Sequence, residues 1–356
     1  MKENMDFIGN GKSQGELGAY FGSQMDVGNL KPYIGKDGNA YVTTFKGGDA
    51  KSPSSYKTTK LNTNATLRRD EWKQLDEAIL KISESRLGGV QDLISNGLVY
   101  NLGNGMGSTV LETHTMSDAM EADLTMDGIS RSKNDRVNYE TEYLPIPIIH
   151  VDYEINLRAL AASRKLGNAL DITSAERATR KVNQKLETML FTDTTYAFGG
   201  GTIYSYLNHP DRNQETLSTN WDASAMTAAL IIDDVLAMKQ ASISAKHFGP
   251  WKLYIPTAYE TVLDEDYDTT KGITIRERIL KIGGIKGVEI IDTLTADNVL
   301  LVQMTSDVVR LVRGMGIQNV QWKSEGNFIE NFKVMTIQVP QVRSDQDGNS
   351  GIIHLA

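Results

Sequence analysis

The feature that most constrains the fold is a long amphipathic helix predicted between residues 173 and 191, directly after a segment with β-strand alternation. Thr173 is the predicted N-cap, and Glu176 three residues later completes a capping box. Apolar residues then recur at three- and four-residue steps and form one narrow stripe: Ala175, Ala178, Val182, Leu186, Met189 and Leu190. The opposite face is predicted to carry Glu176, Arg177, Arg180, Lys181, Lys185 and Glu187. We expect a helix with so thin a stripe to lie across a sheet rather than inside a core.

Length, charge and composition limit the possible classes of protein. At 356 residues the chain exceeds the size at which one hydrophobic core stops growing, so we expect two compact lobes with extensions. A net charge of -8 argues against a general nucleic-acid-binding protein and is compatible with a container that does not adhere to DNA. The sequence has no cysteine, which excludes disulfides and thiolate sites. No segment has the apolar run of a signal sequence or membrane span, so we expect synthesis in a cytoplasm and no membrane partner.

The first 64 residues differ in composition from the rest of the chain. They hold ten of the 31 glycines, and their apolar residues show neither helical nor strand periodicity. Because such a segment is too loose to fold alone, we predict an arm over residues 1–64 that gains order by lying on neighbouring subunits. A flexible tail is the alternative, which the scattered aromatic residues disfavour.

Regular secondary structure is predicted from residue 69 onward. Asp70 is the predicted cap of a first helix that ends at Gly88–Gly89, and Val90–Ile94 forms a second, short helix. After the long helix the composition changes to an α/β pattern that begins with a helix over Ser224–Ile243. A further helix over Thr274–Ile282 is predicted among six strands: Lys252–Ile255, Val288–Ile291, Val299–Met304, Val308–Val312, Ile317–Trp322 and Phe332–Val339. These elements predict a mixed α+β protein.

A projecting β-hairpin is predicted between the short second helix and the long helix. Its strands lie between Thr109 and Met126 and between Asp135 and Pro147, where polar and apolar residues alternate. Two strands alone bury too little apolar surface to be stable in water. The hairpin therefore needs a partner outside itself.

The turn of this hairpin is basic and gives the candidate contact between subunits. Arg131, Lys133 and Arg136 lie at the turn, and Glu140 and Glu142 follow on the second strand. We predict that the basic residues pair with Glu140, Glu142 or the acidic segment 264–268 of another copy, which would fix the register between subunits more than add affinity. A solvated turn is the alternative.

No group of residues has the pattern of a catalytic, metal or cofactor site. Gly103–Gly107 lacks the GxGxxG spacing and leads into a strand, so we interpret it as a flexible hinge. The five histidines never fall at i, i+4 on one helix, and the acidic segment 264–268 lacks the spacing of a calcium loop. A GxSxG motif is absent. We therefore expect no enzymatic activity, no catalytic residue, no metal and no cofactor.

Three segments carry a resemblance to a known family. They are RDEWKQLDEAILKISESRLGGVQDL at 69–93, PIPIIHVDYEI at 145–155 and ALAASRKLGNALDITSAERATRKVNQKLETMLF at 159–191. In this order they resemble the encapsulin-related branch of tailed-phage major capsid proteins, which have the Hong Kong 97 fold, over most of residues 66–356. The resemblance implies six parts: an N-terminal arm (1–64), a first part of the peripheral domain (65–108), an extended loop (109–147), the peripheral domain with its spine helix (148–222), an axial domain (223–316) and returning strands of the peripheral domain (317–356).

The resemblance also implies a function. The expected protein is a major capsid protein, a virion component whose copies form the hexamers and pentamers of an icosahedral shell around the double-stranded DNA of a tailed phage. Its further partners would be a portal and decoration or scaffolding proteins. An encapsulin-type nanocompartment shell enclosing a cargo enzyme is the alternative, although such proteins begin almost directly with the first helix and lack an arm of this length. Some relatives link subunits through a lysine of the extended loop; Lys133 lies near such a place, but the sequence shows no match for the asparagine and glutamate partners.

Overall fold

The computed structural model of the chain describes residues 31–45, 52–61, 67–85, 88–103, 105–116, 126, 139–158, 160–161, 172–268, 272–322, 329–345 and 348–356. Its α-helices are α1 (Arg69–Ser85), α2 (Gly88–Ser95), α3 (Thr173–Phe191), α4 (Ala228–Ser244), α5 (Glu260–Leu263) and α6 (Ile275–Leu280). Its strands are β1 (Tyr33–Ile34), β2 (Ala40–Phe45), β3 (Tyr56–Leu61), β4 (Val99–Asn101), β5 (Val110–Met116), β6 (Tyr139–Pro145), β7 (Ile149–Asn156), β8 (Tyr196–Phe198), β9 (Gly201–Ile203), β10 (Asn213–Glu215), β11 (Trp251–Pro256), β12 (Asp266–Asp268), β13 (Ile273–Thr274), β14 (Ile285–Ile291), β15 (Val299–Gln303), β16 (Val309–Trp322), β17 (Ile329–Val342) and β18 (Ile352–Leu355).

The long helix α3 lies across a four-stranded sheet. The strand order is β4-β16-β17-β7, with the antiparallel pair β16 and β17 at its centre. The predicted apolar stripe of α3 is confirmed, because all six of its residues are buried. Val182, Leu186 and Leu190 share one hydrophobic cluster with Val334 and Ile337 of β17. The helix is therefore held by apolar packing on the sheet, as its pattern predicts.

Two details of α3 differ from the prediction. The residue at the cap position is Ile172, whose side chain makes no capping hydrogen bond, so the prediction of Thr173 as N-cap is wrong by one residue. Glu187, predicted on the charged outer face, is buried and accepts a hydrogen bond from the backbone N–H of Gly89. A side chain at the edge of an amphipathic stripe is buried when a neighbouring element supplies donors for it, and here that element is α2.

The second sheet has five strands in the order β10-β18-β15-β11-β14. Side chains alternate between its two faces, as the pleat requires. Tyr254, Leu300 and Val302 join the cluster that contains α3, whereas Leu253 and Leu301 face the cluster that contains α4 and α6. The sheet is thus covered on both faces, which accounts for the nearly continuous apolar sequence of β15.

The boundary expected near residue 316 does not coincide with a break in the structure. Residues 308–312 and 317–322, predicted as two strands, belong to the single strand β16, which has irregular pairing around Met315. The last strand, β18, pairs with β15 and β10 in the five-stranded sheet and not with the returning strands β16 and β17. Residues 317–356 therefore do not all return to the four-stranded sheet, because the apolar side chains of Ile352, Ile353 and Leu355 are buried where β18 lies between β10 and β15 in the other sheet.

The described part of the predicted arm is folded on its own chain. Strands β1, β2 and β3 form an antiparallel sheet, which the lack of strand periodicity in residues 1–64 did not predict. Lys31 pairs with Asp76 at 2.7 Å, and the Trp72 indole N–H donates to the Pro32 carbonyl oxygen at 2.9 Å. These contacts attach the segment to α1 of the same subunit. Residues 1–30 lie outside the described residues.

The starts of the first two helices also differ from the prediction. Helix α1 begins at Arg69, and the carboxylate of Glu71 rather than Asp70 accepts the Arg68 backbone N–H, at 2.7 Å. Gly88–Gly89 begin α2 instead of ending α1.

Gly105, in the segment interpreted as a flexible hinge, is packed against another backbone. A Cβ atom there would overlap the backbone of Gly314 in β16. Gly105 therefore permits a close approach of two chain segments, and the hinge interpretation is wrong at this position.

Candidate assembly surface

The base of the predicted hairpin forms a two-stranded sheet of its own. Strands β5 and β6 pair from Val110 opposite Pro145 to Met116 opposite Tyr139. The aromatic side chains of Tyr139 and Tyr143 lie on one face and are 66% and 42% exposed. The other face of the strand pair packs on the main hydrophobic cluster through Leu111 and Leu144. Exposed aromatic residues on the outer face of such a pair are typical of a surface that meets a partner.

Of the five residues predicted to form a contact between subunits, the two acidic ones lie among the described residues. Arg131, Lys133 and Arg136 lie outside the described residues, whereas Glu140 and Glu142 lie on β6. Glu140 is exposed and Glu142 is half-buried. Burial raises the pKa of Glu142, Arg343 of the same chain opposes that rise, and the charges of Asp211 and Glu140 add to it. Contact of these residues with another copy stays a prediction.

The acidic segment 264–268 already has one partner in its own chain. The Arg276 guanidinium Nε lies 3.1 Å from a carboxylate oxygen of Asp264. Since this pair is on the surface, it contributes little to stability, and it leaves the remaining carboxylates of the segment at the surface.

A second hairpin, formed by β8 and β9, supports the base of the first. Gly201 of β9 lies directly against β6, where a Cβ atom would overlap the carbonyl oxygen of Tyr143. The turn residues Gly199 and Gly200 have φ values of 60° and 84°, which glycine adopts at the least cost. This glycine run allows the second hairpin to pack closely on β6, and its Tyr196 and Phe198 remain 50% and 54% exposed.

An apolar groove of about 490 Å³ lies between α3, the start of β7 and the second hairpin. Ile149, Met189 and Ile203 are buried side chains that line it. Lys181 and Lys185 of α3 also line it, together with the half-exposed Tyr196. We call this feature the spine groove; it combines an apolar surface with positive charge.

A polar cleft of about 320 Å³ lies beside the base of the hairpin. It is lined by Glu142, His209, Asp211 and Ser344, among others. The Ser344 hydroxyl donates to a carboxylate oxygen of Asp211 at 2.6 Å, and burial lowers the pKa of His209. The Asp211 backbone N–H also donates to His209 Nδ1 at 3.3 Å, so three residues of the cleft are hydrogen-bonded to one another.

Neither the spine groove nor the polar cleft was predicted from the sequence. A sequence signal for the groove is the set of large apolar residues in a glycine-rich segment, 196–203. Across the ranges that the structure describes, no three His, Asp or Glu side chains are grouped so that they could hold a metal ion. None of the helices in those ranges has the length and hydropathy needed to cross a membrane.

Solved structures of low sequence identity share this architecture. A virus-like particle protein from Pyrococcus furiosus is 17% identical with a TM-score of 0.59, over 80% of this chain and 99% of that one. The capsid of Myoviridae phage XM1 is 8% identical with a TM-score of 0.57, over 76% of this chain and 91% of that one. A structure from Mycobacterium phage Bobi is 12% identical with a TM-score of 0.50, over 74% and 89% of the two chains.

These likenesses show the fold of this protein, which is the Hong Kong 97 fold expected from the resemblance. A comparison with curated proteins finds no match. A family described as being of unknown function, DUF6260, matches residues 62–355. The chain belongs to the DUF6260 family.

Proposed function

We propose that this protein is a major capsid protein, whose copies assemble into the hexamers and pentamers of an icosahedral shell around the double-stranded DNA of a tailed phage. The observation that carries the proposal is the extent of the fold match. It covers 99% of a virus-like particle protein and 91% of a phage capsid protein, so the likeness includes nearly the whole of each neighbouring chain. A fold alone does not define a function. The surfaces of the subunit also support assembly.

Those surfaces are suited to contacts between copies. The base of the hairpin has no core of its own and exposes Tyr139 and Tyr143. The spine groove offers apolar area beside Lys181 and Lys185, while the hairpin strand β6 carries Glu140 and Glu142. Surfaces of opposite charge on one chain favour association of identical copies and fix their register.

The proposal includes the place and the partners of the protein. It would be made in the host cytoplasm and become part of the virion. A portal would occupy one vertex, and decoration or scaffolding proteins would bind the shell. Contact with DNA would not be sequence-specific, which agrees with the net charge of -8. The role would be structural and not enzymatic.

An encapsulin-type nanocompartment enclosing a cargo enzyme is the second candidate. The observation in its favour is the likeness to the Pyrococcus furiosus virus-like particle, which extends over 99% of that chain. The contents of the particle distinguish the two candidates. A particle with strong absorbance at 260 nm supports the capsid, and one that contains a second protein without nucleic acid supports the nanocompartment.

The test of shell formation removes the hairpin. In a variant in which residues 121–142 are replaced by a short glycine linker, we expect a subunit that unfolds cooperatively, because the described residues that it removes, 126 and 139–142, belong to neither hydrophobic cluster. We expect no closed particles of this variant in electron micrographs, whereas the parent chain forms them. Closed particles of normal size from the variant would contradict the assembly role of the hairpin, and a parent chain that forms no particles would contradict the proposed function.

A further inference from the structure

A buried polar junction lies where α2, α3 and β11 meet. One oxygen of the Glu187 carboxylate accepts the backbone N–H of Gly89 at 2.9 Å, at the beginning of α2. The other oxygen has no hydrogen-bond partner, although the residue is only 9% exposed. A buried carboxylate oxygen without a partner is costly, because its water shell has been removed and nothing replaces it.

A second carboxylate lies one turn further along α2. Asp92 pairs with the ammonium group of Lys252 at 2.5 Å and accepts a hydrogen bond from the Tyr254 hydroxyl at 3.0 Å. The same ammonium group lies 3.1 Å from Glu289, which is on β14 and partly exposed. The cation of the junction is therefore shared by Asp92 and Glu289, and Glu187 has no ion pair among the described residues.

Among the described residues of this junction, negative charge exceeds positive charge. The titratable groups that face one another are Asp92 on α2, Glu187 on α3, Lys252 and Tyr254 on β11, Glu289 on β14, Asp292 after it, and Tyr206 after β9. In the described part of the chain, the carboxylates are not grouped in a way that could hold a metal ion. A proton on Glu187 would reduce this excess of negative charge.

The pKa values of the two buried carboxyl groups are both raised, which favours protonation. Burial raises the pKa of Glu187, the N–H groups of Gly89 and Val90 oppose this rise, and the charges of Asp92 and Asp292 add to it. Burial also raises the pKa of Asp92, which Lys252 opposes. Both carboxylates thus bind protons more tightly in the packed subunit than in an unfolded chain.

We propose that this junction is a proton-linked joint, in which Glu187 holds a proton while α3 is packed on α2 and releases it when the two helices separate. Proton release favours the open form as the pH rises. The contribution of Glu187 to the stability of the packed form is therefore fully present below the ordinary glutamate pKa of 4.5 and is lost as the pH rises from there to the raised pKa of Glu187. The joint would make the attachment of the spine helix to α2 dependent on pH. This inference concerns a single subunit and does not depend on what a shell of such subunits encloses.

The test compares Glu187→Gln with the parent chain. Glutamine keeps an oxygen for the Gly89 N–H and cannot ionise. We expect urea unfolding of separated subunits to show that the unfolding equilibrium constant of the parent increases relative to that of the variant above the ordinary glutamate pKa of 4.5, by up to about tenfold per pH unit. The increase stops at the raised pKa. The matched control is Glu277→Gln, which makes the same substitution at an exposed position of α6 and removes no buried carboxylate. A ratio for Glu187→Gln that changes with pH no more than the ratio for this control would overturn the proposal.

A direct measurement covers the case in which Glu187→Gln fails to fold. With carbon-13 in the glutamate carboxyl groups of a Glu142→Gln chain, we expect one carboxyl resonance to titrate above the ordinary glutamate range. Glu142 is removed because burial raises its pKa also. If every remaining glutamate carboxyl titrates in the ordinary range, Glu187 does not hold the proton and the proposal is wrong.

Discussion

Truncation of Leu186 to alanine tests the packing of α3 on the four-stranded sheet. Leu186 is 0% exposed and lies in the cluster that includes Val182, Leu190 and Val334. Removal of the buried side chain loses its transfer free energy and leaves a cavity, which together cost about 2 to 5 kcal/mol. Because single domains are typically stable by only about 5 to 15 kcal/mol, the loss is a large fraction of the free energy of unfolding.

The assay is urea unfolding of the variant under conditions that keep subunits apart, so that contacts between copies do not contribute. Lys185→Ala is the matched control, because Lys185 is the preceding residue of the same helix and is exposed. We expect the control to change the free energy of unfolding by less than about 0.5 kcal/mol. If Leu186→Ala lost no more stability than this control, the packing of α3 on β17 would not stabilise the subunit, and the architecture derived from it would be wrong.

Two other substitutions have distinct expected results. Gly201→Ala places a methyl group against the Tyr143 carbonyl oxygen. We therefore expect the free energy of unfolding to fall by about 1 to 3 kcal/mol and proteolysis between β5 and β6 to become faster. The control is Gly283→Ala, which has no atom within 4 Å of its Cβ and should match the parent in both assays. The second substitution is at His354, whose Nε2 donates to the Asn298 side-chain oxygen at 2.6 Å and whose Nδ1 accepts from Arg212 at 3.3 Å. Burial, and after it the charge of Arg212, lowers the pKa of His354 from 6.5 to about 4. The neutral ring is therefore favoured in the fold, and stability is lost as the pH falls from about 6.5 to about 4. His354→Gln should remove this loss in urea unfolding. A variant with the same pH profile as the parent would contradict the lowered pKa of His354.

The spine helix was predictable because its burial depends on periodicity alone. The repeat from Ala175 to Leu190 places those side chains on one face whatever lies opposite, and all of them are buried. Glu187 was assigned to the wrong face for the same reason. Its burial depends on the backbone N–H of Gly89, about a hundred residues earlier in the chain, and a local pattern contains no information on such a partner.

Short strands were the least predictable elements. In the expected arm, β2 and β3 contain the Thr-rich sequences AYVTTF and YKTTKL, whose β-branched residues favour strands. The surrounding glycines concealed this preference. Residues Ile352–Leu355 were expected among the returning strands, but the choice between two sheets depends on which edge remains open beside β15, and this is a property of the tertiary fold.

The candidate assembly surface was also predictable only where it depends on local sequence. Alternation correctly predicted the two strands at the base of the hairpin, where β5 and β6 pair. The spine groove, in contrast, is assembled from α3, β7 and the second hairpin, which are far apart in sequence. No local pattern could have identified it.

The pairing of β7 with β17 has a consequence for synthesis of the chain. Strand β7 (Ile149–Asn156) pairs along its length with β17, which begins on the order of 170 residues later, so at about 5 to 20 residues per second it waits roughly 10 to 30 s for its partner. During that time its open edge is a template for pairing with other nascent chains. Alternate positions of β7 carry His150, Asp152 and Glu154, which are exposed in the final fold. Charges on a waiting strand discourage such mispairing, and the late Lys333 then meets Asp152 at 3.4 Å when the sheet closes.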